Sequence, residues 1–139
     1  MGTWAIGPYG NDCAQDWVED LQESKDLYFI EETLSNVLAS EGAQELEAPY
    51  GEEGIAAAET LARLEGKGAA ADEDTGEVDE WVTAVRPKYK HRADLVEKAG
   101  RVLDLVLSEA SELRQLWEEA EEYADWRASV EGIKARLAS

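Results

Sequence analysis

Apolar residues recur at intervals of three and four along most of the chain, and Gly or Pro punctuates them at several points, among them Gly42, Pro49, Gly66, Gly68 and Pro87. That spacing constrains the fold more than any other feature. A period of 3.6 gathers such residues on one face of an α-helix, whereas a half-buried strand needs a period of two. Ala14, Trp17, Val18 and Leu21 make the first face. Leu27, Ile30, Leu34, Val37 and Leu38 make the second and predict a helix from about Asp26 to Ser40. Gly42 follows it, where a left-handed residue ends a helix at no steric cost. A third helix is predicted over about Glu52 to Leu64, after a connection at 43–50 that ends in Pro49. Its Ala56, Ala57, Ala58 and Ala62 permit close neighbours, and Gly66 and Gly68 close it.

A short helix over roughly 77–85 holds Val78, Trp81, Val82 and Val85, and Pro87 stops it. Residues 88–107 read as a longer helix carrying Leu95, Ala99, Val102, Leu103 and Val106. Beyond Ser108 come Leu113, Leu116, Trp117 and Ala120, then Trp126, Val130, Ile133 and Leu137. This stretch fits one long helix, or two broken at Glu121–Glu122. The first ten residues are loop chemistry, with Trp4, Ile6 and Tyr9 as apolar teeth between glycines. They predict an ordered strap on the core; alternation at Trp4, Ile6 and Pro8 gives a short strand as the alternative. The first helix then begins at Asn11 or Asp12, and Asp12 with Gln15 has the spacing of a capping box.

The expected architecture is therefore all-α: one domain over 1–139, about five to seven helices, and a mobile acidic loop near 65–77. The chain length suits a single core, and 44% hydrophobic residues argue against wholesale disorder. Charge is the outlier, with 32 acidic against 13 basic residues and a formal net charge of -19. Such a surface repels nucleic acid and anionic membranes and attracts basic proteins or divalent cations. Cys13 is the single cysteine, so no internal disulfide forms, which agrees with a reducing cytoplasm. The N-terminal residues have neither the basic region nor the apolar run of a signal peptide, and no apolar stretch is long enough to span a bilayer.

The opening MGTWAIGPYGNDCAQDW resembles the start of the domain-of-unknown-function family numbered 4259. Trp4, Gly7, Asn11, Asp12, Ala14, Asp16 and Trp17 match its pattern. Ala5 and Tyr9 depart from it, where glycine and phenylalanine are usual. IAAAETLARLEG and SELRQLWEEAEEYADW also resemble segments of that family, so the likeness covers nearly the whole chain. It implies a small, helical, bacterial protein and assigns no activity.

Asp12, Asp16 and Asp20 follow one another at four-residue spacing and are the candidate ligands for a hard cation, although acids at a helix start also suit the helix dipole. Asp16, Glu19, Asp20 and Glu23 are candidates for contact with a basic partner, together with the acidic run at 118–122. Arg86, Lys88, Lys90, His91 and Arg92 form the one dense basic segment. They read as a charge-balancing element facing Glu77, Asp79 and Glu80, or as an anion or partner site. His91 is the sole histidine, so a nucleophile–histidine pair would have to use it, and nothing nearby resembles a nucleophile elbow. One Cys and one His do not make a zinc site. No cofactor is implied.

These features predict a cytoplasmic, non-enzymatic protein whose acidic helical surface engages a basic protein, as an inhibitor or immunity protein does, or as a mimic of nucleic-acid charge. The second reading is a carboxylate-dependent metal-binding protein or hydrolase. The third is a homo-oligomer built on the heptad-like stripe Tyr123, Val130 and Leu137 with Trp126 and Ile133.

Overall fold

The computed structural model describes residues 6–42, 44–72 and 74–139. Among them the helices follow in the order α1 (Asp12–Gln22), α2 (Tyr28–Leu38), α3 (Ala48–Leu64), α4 (Gly76–Val85), a 3₁₀ turn (Arg86–Lys88), α5 (Ala93–Val106), α6 (Glu112–Glu118) and α7 (Tyr123–Ala138). The fold is all-α. The described residues contain no strand, only an isolated bridge in which the Leu46 N–H donates to the Ala110 carbonyl at 2.8 Å and the Glu112 N–H to the Leu46 carbonyl at 2.9 Å. Ile6 and Pro8 belong to no strand, and Trp4, the third residue of that alternative, lies outside the described residues.

The centre of the bundle is α3, which packs against each of the other α-helices. The sequence shows why. Ala56, Ala57, Ala58 and Ala62 are fully buried, and small side chains let neighbouring backbones approach. At Gly54 the approach is closest: a Cβ there would stand 2.8 Å from Val102 Cγ1 of α5 and 3.2 Å from Val37 Cγ2 of α2. A helix buried on all sides is a core element rather than an amphipathic surface one. Around it the predicted faces turn inward: Ala14, Trp17, Val18 and Leu21 from α1, Ile30, Leu34 and Val37 from α2, and Leu95, Ala99, Val102, Leu103 and Val106 from α5. Each large side chain so removed from water contributes about 1.5–3 kcal/mol.

Three expectations are corrected at their edges, and one of two open alternatives is decided. Helix α3 starts at Ala48, and Pro49 lies within its first turn, where its missing N–H costs nothing. The helix expected over 88–107 starts only at Ala93, because Pro87 sits in the 3₁₀ turn and Tyr89 is extended. The segment after Ser108 is two helices: the chain turns at 119–122, and the Trp117 and Trp126 rings stack across the break with centroids 5.9 Å apart. Finally, Asn11 and not Asp12 caps α1, its Oδ1 accepting the Ala14 N–H at 2.8 Å; Gln15 reaches past the cap to the Tyr9 carbonyl at 2.6 Å. Gly42 is left-handed, with φ +89°, as its position after α2 requires.

The strap reaches the centre of the molecule. Tyr9 is buried and its hydroxyl lies 2.8 Å from Thr60 Oγ1, whose own proton goes to the Ala56 carbonyl. Tyr9 therefore acts as the donor, and burial raises its pKa far above the ordinary tyrosine value. At the other end of the chain, Trp126, Val130, Ile133 and Leu137 are buried in this same core, with Tyr123 packed against it. The stripe read as a homo-oligomer seam is thus turned inward. No described helix is long and apolar enough to cross a membrane.

Candidate functional site

Helix α1 is held firmly from below. The Trp17 indole N–H donates to Thr33 Oγ1 at 2.9 Å, and its ring stacks on Phe29 with centroids 5.2 Å apart. With the apolar face fixed inward, Asp12, Asp16, Glu19, Asp20 and Glu23 are all exposed. Among the described residues none of the five takes part in an ion pair. The linear sequence shows a local shortage of cations, although Glu31, Glu41 and Glu59 of the same stretch are reached by arginines from later in the chain. Residues 1–62 carry fourteen acidic side chains and one basic one, Lys25. Asp12 in the first turn suits the helix dipole, but Asp20 and Glu23 stand at the end where it disfavours negative charge, and no basic residue occupies the last turn. Like charges four apart add a further cost. Fold stability therefore does not account for this face.

Beneath the outer end of α1 the start of α3 brings up more acid. Cys13 Sγ lies 3.5 Å from the Pro49 carbonyl and 4.0 Å from Glu53 Oε2. Burial, followed by the charges of Glu53, Glu52 and Asp16, pushes the thiol up to about 12, so it is not a thiolate nucleophile at neutral pH. Burial likewise raises the pKa of Glu52, with help from Asp12, and that of Glu53, with help from Asp20. Among the described residues no group of three or more His, Cys, Asp or Glu side chains is arranged to hold a metal ion, so Asp12, Asp16 and Asp20 do not converge with another ligand.

A second set of charges, invisible as a unit in the sequence, is centred on buried Glu59 and Arg63 and reaches half-buried Asp79 and Arg136. Glu59 is completely buried on α3. Its Oε2 accepts from Arg63 Nη1 at 2.9 Å and from the Ala69 N–H at 2.8 Å, and its Oε1 accepts from Arg136 Nη1 of α7 at 3.1 Å. Arg63 also forks onto Asp79 of α4, with Nε to Oδ1 at 2.7 Å and Nη2 to Oδ2 at 3.1 Å. Two carboxylates and two guanidiniums thus neutralise one another, and the loop after α3 is tied in through Ala69 and through the Lys67 carbonyl, which accepts from Arg136 at 2.8 Å. Burial opposes the charge on Arg63, but its bonds to Asp79 and Glu59 outweigh it and raise its pKa. Arg63 in turn holds Asp79 below the usual carboxylate range. The available signal was Glu59 and Arg63 at i, i+4 within the run at 55–64, which is otherwise alanine, leucine, isoleucine and threonine.

Among the described residues the basic segment forms no ion pair with Glu77, Asp79 or Glu80, although Lys88 lines one groove with Glu77 and Glu80; Asp79 belongs to Arg63. Arg92 pairs with Glu31 at 3.2 Å and Asp94 at 2.7 Å. His91 is largely exposed, with Nδ1 2.9 Å from Glu65. Tyr89 donates to the same carboxylate. Partial burial works against ionised Glu65, but these two hydrogen bonds prevail and lower its pKa. Arg86, Lys88 and Lys90 are exposed and, with Lys25, are the cationic side chains among the described residues that make no hydrogen bond or ion pair. The acidic run at 118–122 forms the turn between α6 and α7, where Glu118 meets Arg114 at 3.4 Å.

Between α1 and α4 lies an open groove of about 760 Å³, lined among others by Glu19, Lys25, Glu77, Glu80, Trp81 and Lys88. Together these features define a small all-α domain with charge neutralised inside and carboxylates left unpaired outside. The chain belongs to the family described as "Domain of unknown function (DUF4259)", whose model matches residues 2–129. No curated protein and no solved structure matches it.

Proposed function

We propose that this is a non-enzymatic interaction protein that presents the outer face of α1 to a basic protein partner. The observation that carries the reading is the row Asp12, Asp16, Glu19, Asp20 and Glu23, exposed, without ion pairs, and partly set against the helix dipole. A lysine- or arginine-rich surface would relieve both the mutual repulsion and the dipole cost on contact. Electrostatic complementarity of this kind speeds encounter and excludes like-charged partners. The buried Trp17 anchor keeps the row rigid, so little order is lost on binding. An inhibitor or immunity protein for a basic toxin or nuclease, acting in the cytoplasm, is the concrete form this takes.

Capture from native lysate at low and at moderate salt tests it, comparing the wild-type chain with Asp16→Asn, Glu19→Gln, Asp20→Asn and Glu23→Gln combined. The reading expects a basic protein held by the wild type, weakened by salt and lost with the neutral variant. Equal capture by both chains, or no basic protein at either salt, overturns it.

A further inference from the structure

We propose that the groove between α1 and α4 docks a partner segment with a cation at one end, a carboxylate about four residues away, and an apolar side chain between them. The proposal rests on the partner reading above and specifies the partner's chemistry at a second place on the same half of the molecule.

The two walls of the groove run in register. Gln22 Nε2 donates to Glu77 Oε2 at 2.6 Å, which sets the end of α1 beside the start of α4. The Trp81 indole N–H donates to the Ser24 carbonyl at 2.7 Å, one turn further along. Both walls are acidic where they start, with Glu19 on one and Glu77 and Glu80 on the other. Lys25, next to Ser24, lies level with Trp81 on one wall, and Lys88 lies beyond Trp81 on the other. Trp81, Ala84 and Val85 supply apolar surface between. Among the described residues neither lysine has a partner, although this is a chain of -19 in which most other described cations are paired. The two hydrogen bonds hold the walls, leaving Glu19, Glu80, Lys25 and Lys88 free to meet a ligand.

From Glu80 to Lys88 the helical rise gives about 12 Å. An extended chain covers that in about four residues. An all-basic segment would satisfy the acidic end and then meet unpaired Lys25 and Lys88. An all-acidic one would meet the reverse. The rim therefore selects a segment of mixed sign, as interfaces do when wrong partners are excluded by like charge.

The test uses two amidated, acetylated peptides, Arg-Arg-Ala-Leu-Ala-Glu-Glu and Arg-Arg-Ala-Leu-Ala-Arg-Arg, titrated into the ¹⁵N-labelled full chain at about 0.15 M salt. The mixed peptide is expected to shift the Trp81 indole N–H and the amides of 22–25 and 84–88, and to bind at least about threefold more tightly there than the all-basic one. Lys25→Glu with Lys88→Glu, at two exposed positions that lose no contact, should reverse that order. Equal or tighter groove binding of the all-basic peptide to the wild type overturns the proposal, as does an unmoved Trp81 indole with both peptides at millimolar concentration. Shifts confined to the outer face of α1 would overturn the groove alone and leave the α1 reading to the capture experiment.

Discussion

Glu59 on α3 and Asp20 on α1 are both carboxylates in the acidic first half of the chain, and the fold treats them in opposite ways. Glu59 is fully buried with both oxygens occupied by Arg63, Arg136 and the Ala69 amide. Asp20 is exposed, at the unfavourable end of its helix dipole and near Glu53, whose pKa its charge helps to raise. The inner set closes on itself with equal numbers of charges. The outer set has no ion-pair partner among the described residues, whereas Glu31 and Glu41 of the same half are met by Arg92 and Arg101. Burial makes pairing obligatory, since an isolated charge cannot be left in the core. Exposure removes that demand, so a surface charge can be kept for something outside the molecule.

Removing one partner of the inner set gives the largest effect. Arg63→Ala leaves buried Glu59 with less compensation and strips the fork from Asp79; urea unfolding should show a loss of about 3–5 kcal/mol. A loss under about 1 kcal/mol would erase the contrast. Next comes the packing that encloses the set. Gly54→Ala adds a methyl 2.8 Å from Val102 Cγ1, between β-branched side chains with no free rotamer. Overpacking of about 1–3 kcal/mol should exceed the gain of about 1 kcal/mol in helix propensity, leaving the variant less stable in thermal unfolding.

Acidification separates the two regions by sign. Glu52 and Glu53 have raised pKa values, so the folded chain takes up protons before the unfolded one does. Their contribution to stability therefore grows as pH falls from neutral through the range just above the ordinary carboxylate values. Asp79 and Glu65 are lowered; their contribution is complete above the unfolded value and is lost as pH falls through the folded one. Unfolding followed against pH should thus show a gain on mild acidification and a loss on stronger acidification. Glu52→Gln with Glu53→Gln should abolish the gain and spare the loss. An unchanged profile would detach those two groups from the effect.

Much of this arrangement was legible beforehand, and the failures have physical causes. The faces of α1, α2 and α5 were read correctly because each is amphipathic. The start of α3 was missed because Pro49 looks like a terminator, although a first-turn proline loses no hydrogen bond. The break at 119–122 stayed open because Trp117 and Trp126 keep helical spacing across it. Glu59 and Arg63 do not stand out in the sequence, since a sequence does not say which helix lies at the centre of a bundle. The exposed α1 carboxylates were named from residues alone, but the groove depends on α4 packing beside α1. Lys25 was not singled out, because only the fold brings it to the same groove as Lys88.

The smallest expected change in stability is also the most direct test. Asp16→Asn, Glu19→Gln, Asp20→Asn and Glu23→Gln combined should leave the unfolding free energy from urea titration within about 0.5 kcal/mol of wild type, or raise it by relieving repulsion. Measured on the same preparation, capture of the basic partner should be lost. A loss of stability above about 1 kcal/mol, or capture that persists undiminished, would contradict the claim that these carboxylates serve a partner and not the fold.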